Sequence, residues 1–353
     1  MARPLDASTL ELQGDAFPVA EQIVSGSSAT GRFSASNVGS LVYQAGGRLN
    51  DGLQLTWFDR TGKPVGTVGP PGPYNDLTLS HDEKRVAVTV GNDAAQGDIA
   101  VIDLARNIPE PLTTDPALDW NPHWSHDDRH IIFSSRRKGT DNLYWKDSSG
   151  SGNEVPLLKA EGSQRPTDVS ADGKFLLFTQ NITDLWLLPL DPEKPGADTK
   201  PTLYFDSSRF AETQGQFSPG PTDGPRWVAY TSNESGRPEI WVQSFPVGAG
   251  KTKVSSGGGV QPRWSHDGKE LFYISPERDL MAVKVKTSPK FEAGVPEKLF
   301  TTSMQMGGGA TYVFRYAPSA DGKRFLVASA VANEPGSVRT ITVVLNWTAR
   351  LKQ

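Results

Sequence analysis

The stretch NPHWSHDDRHIIFSS, residues 121–135, is followed by NLYWKD at 142–147 and VPLL at 155–158. Short β-branched and aromatic runs separated by turn residues are typical of strands rather than helices. A second copy, QPRWSHDGKELFYIS at 261–275 followed by DLMAVKV at 279–285, repeats the same order of residue types. The sequence therefore predicts an all-β protein built from a repeated unit of four short strands.

A serine before an Asp-Gly-type turn recurs seven times, and its copies are separated by 46, 45, 45, 48, 47 and 54 residues. A period of this length favours propeller blades over helical repeats. Aspartate suits the turn because it can bond its own backbone, and glycine suits it because it tolerates a positive φ. The serines are Ser34, Ser80, Ser125, Ser170, Ser218, Ser265 and Ser319.

This period predicts a seven-bladed β-propeller of four-stranded antiparallel blades. Six blades occupy residues 31 to 300, and the seventh comprises 312–322, 323–329 and 340–347 but lacks an outer strand. We expect the strand Phe17–Ile23 to supply it by pairing with Thr340–Trp347, which would remove an exposed sheet edge.

The two ends of the chain predict its domain organisation. Residues 1–24 match the second half of a blade and are interpreted as a partial-blade remnant that supplies the closing strand, whereas residues 25–353 form the single propeller. A start in the middle of a repeat indicates a fragment of a larger protein.

The turn Trp-Ser-x-Asp-Gly, followed by a Leu-Phe-Tyr type strand and an Ile-Trp-Val type strand, resembles the TolB-like, WD-type β-propeller repeat. More narrowly, the chain resembles the C-terminal propeller of bacterial, mainly acidobacterial, eukaryote-type serine/threonine kinases. His81, His126 and His266 stand where that family usually has proline. The segments that carry the narrower resemblance are LTWFDRTGK (55–63), SNESGR (232–237), GGGVQPRW (257–264) and VVLNW (343–347).

The resemblance implies a sensor propeller of a signalling protein, in a periplasmic or extracytoplasmic location. Kinase activity would lie outside this chain, because it has neither the glycine-rich loop with its strand lysine nor the His-Arg-Asp catalytic loop. The chain also shows no signal peptide, so expressed as it stands it would be cytoplasmic.

The composition of the chain argues against some classes of partner. The net charge is −4, and Lys and Arg are interspersed with Asp and Glu, so no nucleic acid is expected as a partner. No apolar run approaches the roughly 20 residues that span a bilayer, so no membrane insertion of this chain is expected. The chain has no cysteine, which excludes disulfides and cysteine catalysis. We expect a monomer.

Two rings of polar residues are predicted near the propeller axis, since the innermost strands surround it. One ring holds the residue just before each repeated aromatic position, and the other lies two positions earlier. Concave sites with convergent polar groups are the default ligand location, although a water-filled channel also needs polar walls. The candidate ligand-binding residues are Arg32, Asp76, Asn121, His123, Asp168, Gln216, Gln261, Arg263 and Arg315.

Three functions are compatible with these rings. The preferred one is non-catalytic recognition of a small polar ligand, glycan or protein, with arginines for an anionic group, aspartates for a cation or hydroxyls, and no cofactor. The alternative is a metal-dependent hydrolase in which His123, Asp168 and Asp76 hold zinc or manganese at the central channel. A third possibility is a scaffold for protein interactions.

Overall fold

The computed structural model describes residues 3, 5–6, 8–16, 19, 33–36, 39–44, 52–91, 97–158, 160–191, 199–204, 209–220, 224–248, 250–304, 312–331 and 341–347. The chain divides into two compact units. One consists of Met1–Asp51 and Ala332–Gln353, and the other is Gly52–Val331.

The first unit contains a three-stranded antiparallel sheet in its described residues. Its strands are β1 (Phe33–Ala35), β2 (Leu41–Gln44) and β28 (Ile341–Val344), in the order β1-β2-β28. The strand predicted to close the ring, Phe17–Ile23, lies outside the described residues except for Val19. The described partner of β28 is β2, with Val343 opposite Val42.

The named secondary-structure elements in the described residues of the unit Gly52–Val331 are all strands. No helix among the described residues is long and apolar enough to cross a membrane. Its strands in chain order are β3 (Leu53–Asp59), β4 (Pro64–Gly72), β5 (Tyr74–Leu79), β6 (Arg85–Val90), β7 (Asp98–Asp103), β8 (Pro109–Pro111), β9 (Asp119–Trp124), β10 (His130–Ser135), β11 (Asn142–Asp147), β12 (Val155–Pro156), β13 (Gln164–Val169), β14 (Phe175–Gln180), β15 (Asp184–Pro189), β16 (Thr202–Leu203), β17 (Glu212–Phe217), β18 (Trp227–Ser232), β19 (Glu239–Ser244), β20 (Lys251–Lys253), β21 (Val260–Trp264), β22 (Glu270–Ile274), β23 (Asp279–Lys286), β24 (Glu292–Ala293), β25 (Glu297–Thr301), β26 (Tyr316–Pro318) and β27 (Arg324–Ala330).

These strands form antiparallel blades around an axis. We name them blade 1 (β5–β8), blade 2 (β9–β12), blade 3 (β13–β16), blade 4 (β17–β20), blade 5 (β21–β25) and blade 6 (β26, β27, β3 and β4). In blade 5, β24 and β25 share the outer edge of β23. The innermost strands contact one another in a closed ring, β5-β9-β13-β17-β21-β26 and back to β5. The prediction of an all-β propeller with four-stranded antiparallel blades is therefore confirmed.

The predicted count of seven blades is not confirmed, because the described residues of Gly52–Val331 form six. The predicted composition of the seventh blade is wrong: β27 pairs with β3, with Leu326 opposite Trp57, and not with Thr340–Trp347. The ring is thus closed inside a single blade by strands from both ends of this unit. Such pairing leaves neither β27 nor β3 as an open edge, so it meets the physical requirement for which the strand Phe17–Ile23 is predicted.

Six apolar clusters hold the blades together, one at each seam between neighbours. Alternation along a strand sends successive side chains to opposite faces. In β10, Ile131 and Phe133 therefore pack towards blade 1, while Ile132 packs towards blade 3. The repeated Trp124 and Trp264 lie in two of these seams and are buried, so they are core residues.

The repeated serine closes the turn after the innermost strand. Ser125 Oγ donates to Asp127 Oδ1 at 2.7 Å and accepts the N–H of His130 at 3.0 Å. One hydroxyl therefore fixes both the Asx turn and the start of the next strand, which explains why this residue recurs with the blade period. The same pair of bonds occurs at Ser80, Ser170, Ser265 and Ser319.

Candidate functional site

The earlier of the two predicted rings joins neighbouring blades by hydrogen bonds. Gln214 of blade 4 accepts the backbone N–H of Gln261 at 2.8 Å, and Gln261 of blade 5 accepts that of Arg315 at 2.8 Å. Asp76 of blade 1 accepts the N–H of Asn121 at 3.3 Å. A bulge in β5, β9, β17 and β21 interrupts the pairing of each of these innermost strands within its blade, and these side chains bond backbone N–H groups of the neighbouring blade. Their polar groups therefore stabilise the contact between blades.

Blade 3 interrupts this pattern because Pro166 has neither an N–H nor a polar side chain. In the preceding blade, Asn121 Oδ1 is buried and has no hydrogen-bond partner among the described residues. Thr179 Oγ1 of blade 3 is also buried and has no hydrogen-bond partner among the described residues. The equivalent hydroxyls of Thr89 and Thr231 donate to Asp76 and Gln214 in their own blades. Pro166 therefore takes no part in this pattern at either of the two seams that flank blade 3.

Asp76 is deeply buried, and burial raises the pKa of its carboxyl to about 6 in spite of donors that favour the charged form. Those donors are Thr89 Oγ1 at 2.5 Å and the backbone and side-chain amides of Asn121. Because the pKa lies above the ordinary value of 3.8, the folded protein holds this proton more tightly than the unfolded chain does.

We therefore expect Asp76→Asn to change how stability depends on pH. A raised carboxyl pKa makes the free energy of unfolding fall as the pH rises from about 4 to about 6, by roughly 3 kcal/mol per group. Burial raises the pKa of Asp168 to about 6 as well, so the variant should keep about half of the wild-type decrease. Urea unfolding at a series of pH values measures this, and identical slopes in both proteins would contradict the assignment.

The segment from Tyr312 to Arg315 crosses the axis instead of continuing an innermost strand. The Tyr312 carbonyl accepts Asn121 Nδ2 from blade 2, and the Val313 carbonyl accepts Gln214 Nε2 from blade 4. The Phe314 carbonyl accepts the N–H of Leu77 from blade 1. One short segment thus bonds three blades around the ring, and the axis at this level is filled by protein.

Phe314 lies between opposite blades. The guanidinium carbon of Arg263 in blade 5 is 3.9 Å from the centroid of its ring, and the His123 ring of blade 2 meets it edge-on at 6.0 Å. Burial, and then the charge of Arg263, lowers the pKa of His123 to about 3. The imidazole is therefore neutral at physiological pH, and it packs against a phenyl ring.

A cavity of about 230 Å³ lies at one end of the axis, where the innermost strands run into the serine turns. All its lining residues belong to the unit Gly52–Val331, and they come from blades 1, 3, 4, 5 and 6. We call it the axial pocket. Its polar walls are formed by Thr78, Asp168, Gln216 and Arg263, with His81 and His266 in the turns at its rim.

The charges of the axial pocket come from Arg263 and Asp168. Burial lowers the pKa of the Arg263 guanidinium to about 10, so it stays cationic at neutral pH. Its Nη1 donates to Gln216 Oε1 at 2.9 Å, whereas its Nε has no partner among the described residues. Asp168 Oδ2 accepts the N–H of Phe217 at 2.8 Å. The pocket wall therefore contains a buried cation whose hydrogen bonds go to uncharged oxygens.

His81 adds a titratable group at the rim. Its Nδ1 lies 2.8 Å from Asp128 Oδ1, and this hydrogen bond raises the pKa of the imidazole against the opposing effect of burial. The charge of Asp168 raises it further. Acidification therefore makes the rim more positive.

The predicted site residues separate into two groups. His123, Asp168, Gln216 and Arg263 come from the later ring, and three of them line the axial pocket while His123 packs on Phe314. Arg32 lies outside the described residues. The remaining predicted residues form the bonds between blades and are not among the pocket's lining residues: Asp76, Asn121, Gln261 and Arg315.

The proposed metal ligands are not brought together. Among the described side chains, no three His, Asp or Glu residues form a group that could hold a metal ion. Asp76 is engaged by Thr89 and Asn121, while Asp168 receives Phe217 N–H. His123 faces the ring of Phe314. The zinc or manganese site predicted for the hydrolase alternative is therefore wrong in its set of ligands, because His123, Asp168 and Asp76 are held by separate contacts.

Solved structures show the same architecture. A TolB-type protein of Agrobacterium tumefaciens has a TM-score of 0.62 at 18% identity, over 80% of this chain and 99% of that chain. TolB of Acinetobacter baumannii has a TM-score of 0.53 at 17% identity, over 71% of this chain and 65% of that one. The Cps50 (Swd1) propeller domain of Myceliophteria thermophila has 0.52 at 12% identity, over 78% and 87%.

No protein-family model matches the chain, and no curated protein sequence is detectably similar to it. At these identities the solved structures establish the fold alone, and the narrower resemblance to kinase propellers stays a prediction. The pairing of strands, the blade seams and these structural matches agree that the chain has a β-propeller fold similar to that of TolB and WD-type proteins.

Proposed function

We propose that this chain is a non-catalytic recognition propeller whose axial pocket binds an anionic group of a small polar ligand. The observation that carries the proposal is Arg263, a buried guanidinium at the pocket wall whose hydrogen bonds go to two uncharged oxygens, Gln216 Oε1 and the Leu77 carbonyl. A desolvated guanidinium binds carboxylate or phosphate oxygens more strongly than an exposed one does, because no water competes for its donors.

The size of the pocket favours a small ligand. About 230 Å³ equals the volume of roughly eight liquid waters, which admits a compact molecule or one residue of a larger one. A glycan or a protein partner could therefore place only a single residue there. An extracytoplasmic sensor role within a larger signalling protein, which the family resemblance implies, is the wider context of this proposal.

We expect Arg263→Leu to weaken binding of a carboxylate probe, N-acetyl-L-alanine, by at least about tenfold. The expected loss corresponds to one charge-assisted hydrogen bond, roughly 1.5–3 kcal/mol. Isothermal titration calorimetry near pH 7 measures it. Arg263→Lys should recover part of the affinity, because it restores the charge without the forked donor.

The matched control is Arg129→Ala, since Arg129 lies on an exposed turn and is not among the pocket's lining residues. It should bind the probe like the wild type. If the Arg129 and Arg263 variants lose affinity equally, or if the folded wild type does not bind the probe, the pocket is not an anion site.

A further inference from the structure

The axial pocket carries two opposite charges whose hydrogen bonds go to other groups. Asp168 of blade 3 and Arg263 of blade 5 both line it, with Gln216 of blade 4 between them in the ring. Arg263 donates to Gln216 and to the Leu77 carbonyl, not to Asp168, and the partner of Asp168 is the N–H of Phe217. A partly buried carboxylate and a buried guanidinium thus line one cavity while their hydrogen bonds are directed to other groups.

Separated charges of this kind are costly unless a ligand compensates them. Burial in a partly desolvated site penalises each charge, and the attraction between the two offsets only part of that penalty. The proton affinity of Asp168 reflects this, because burial raises the pKa of its carboxyl even though the charge of Arg263 acts in the opposite direction. A ligand cation beside Asp168 would supply the missing partner.

We infer that the axial pocket is built for a zwitterion, an α-amino acid whose carboxylate meets Arg263 and whose ammonium meets Asp168. This inference rests on the proposed function and specifies its ligand. The ammonium group has three donors for the carboxylate of Asp168 and the neighbouring carbonyl and hydroxyl oxygens. The ligand carboxylate has acceptors for the guanidinium of Arg263, whose present hydrogen-bond partners are two uncharged oxygens.

The remaining walls indicate the type of side chain. Leu79, Val169, Phe217, Trp264 and Ala317 line the same cavity. An apolar wall favours an apolar side chain, because burial of that side chain removes hydrocarbon surface from water. With room for roughly eight waters in all, the pocket suits a small aliphatic amino acid.

The test compares three probes by calorimetry near pH 7. L-Alanine has both charges, N-acetyl-L-alanine has only the carboxylate, and L-alaninamide has only the ammonium. L-Alanine should bind the wild type at least about tenfold more tightly than either derivative, which corresponds to one charge-assisted contact. In Asp168→Asn, this advantage over N-acetyl-L-alanine should disappear, and N-acetyl-L-alanine should bind no more weakly than it does to the wild type, because an anion near the probe has been removed.

Each other outcome has a definite meaning. If N-acetyl-L-alanine binds as tightly as L-alanine, the zwitterion inference is wrong and the anion site stands. If neither carboxylate binds the folded wild type, both are wrong. If L-alaninamide binds as tightly as L-alanine, the pocket recognises a cation, and both the zwitterion inference and the anion site are wrong.

A second measurement needs no variant. When the pH falls below about 6, Asp168 becomes protonated, while His81 at the rim and Arg263 beside it are positive. The preference for L-alanine over N-acetyl-L-alanine should therefore vanish on acidification. If the preference is the same near pH 5 as near pH 7, the carboxylate of Asp168 does not bind the ammonium group of the ligand.

Discussion

Oxidation of a Gln54→Cys, Ser329→Cys double variant is expected to cross-link the chain and to raise the free energy of unfolding by about 3–5 kcal/mol. Gln54 in β3 and Ser329 in β27 are direct neighbours in the pairing that closes the ring. Cβ atoms of such cross-strand neighbours lie close enough for a disulfide. The bond would tie together residues far apart in sequence, which greatly reduces the entropy of the unfolded chain.

The chain has no cysteine of its own, so the two engineered thiols are the only ones that can pair. Urea unfolding with and without reductant gives the stabilisation, and non-reducing electrophoresis gives the extent of cross-linking. Gln54→Cys with Arg324→Cys is the control, because Arg324 pairs with Asp59, roughly 17 Å farther along β3. Equal cross-linking in both variants would show that β27 and β3 are not paired in this register.

Replacing the seam tryptophans is expected to cost nearly as much stability. Trp124→Ala and Trp264→Ala should each lower the free energy of unfolding by roughly 3–5 kcal/mol, through lost apolar contacts and the cavity left behind. Each indole also donates a hydrogen bond across its seam, Trp124 to the Thr78 carbonyl and Trp264 to the Gln216 carbonyl, both at 3.1 Å. Denaturant unfolding measures both effects.

Two comparisons separate packing from recognition. Trp124→Phe and Trp264→Phe keep an aromatic ring but lose the N–H donor, so they should be less destabilising than the alanine variants. Trp264 lines the axial pocket and Trp124 does not. A stable Trp264→Ala protein that had lost only its ligand would make this tryptophan a recognition residue and would contradict its place in the seam core.

Much of the fold could be predicted from local chemistry. The period of the serine turns reflects a hydroxyl that bonds within a few residues, and strand alternation reflects burial on both faces of each blade. Both signals are local, so they are visible in the sequence. The choice of partner strand is different, because β3 and β27 are far apart in the chain and their sequences would pair as well with other strands of the same pattern.

The site could be predicted only in part. The period places Asp168, Gln216 and Arg263 at equivalent positions of successive blades, and the structure gathers them in one pocket. The same period gives no information on Phe314. Its position in the sequence predicts the seventh blade, whereas in the structure it lies at the axis against Arg263. Gln214 and Gln261, which join neighbouring blades, both have a positive φ. Glutamine is not a residue type from which a positive φ would be predicted.

The account depends most on Arg263, and its Nε–H can be observed directly. In protein with ¹⁵N-labelled arginine, the Arg263 Nε–H resonance is assigned from its loss in Arg263→Lys. Titration with N-acetyl-L-alanine should shift this resonance in a saturable manner, because a carboxylate bound beside the guanidinium changes the electric field at Nε, while the exposed Arg129 should not change. A resonance that stays in place while the probe binds elsewhere, or shifts no more than that of Arg129, would contradict an anion site in the axial pocket.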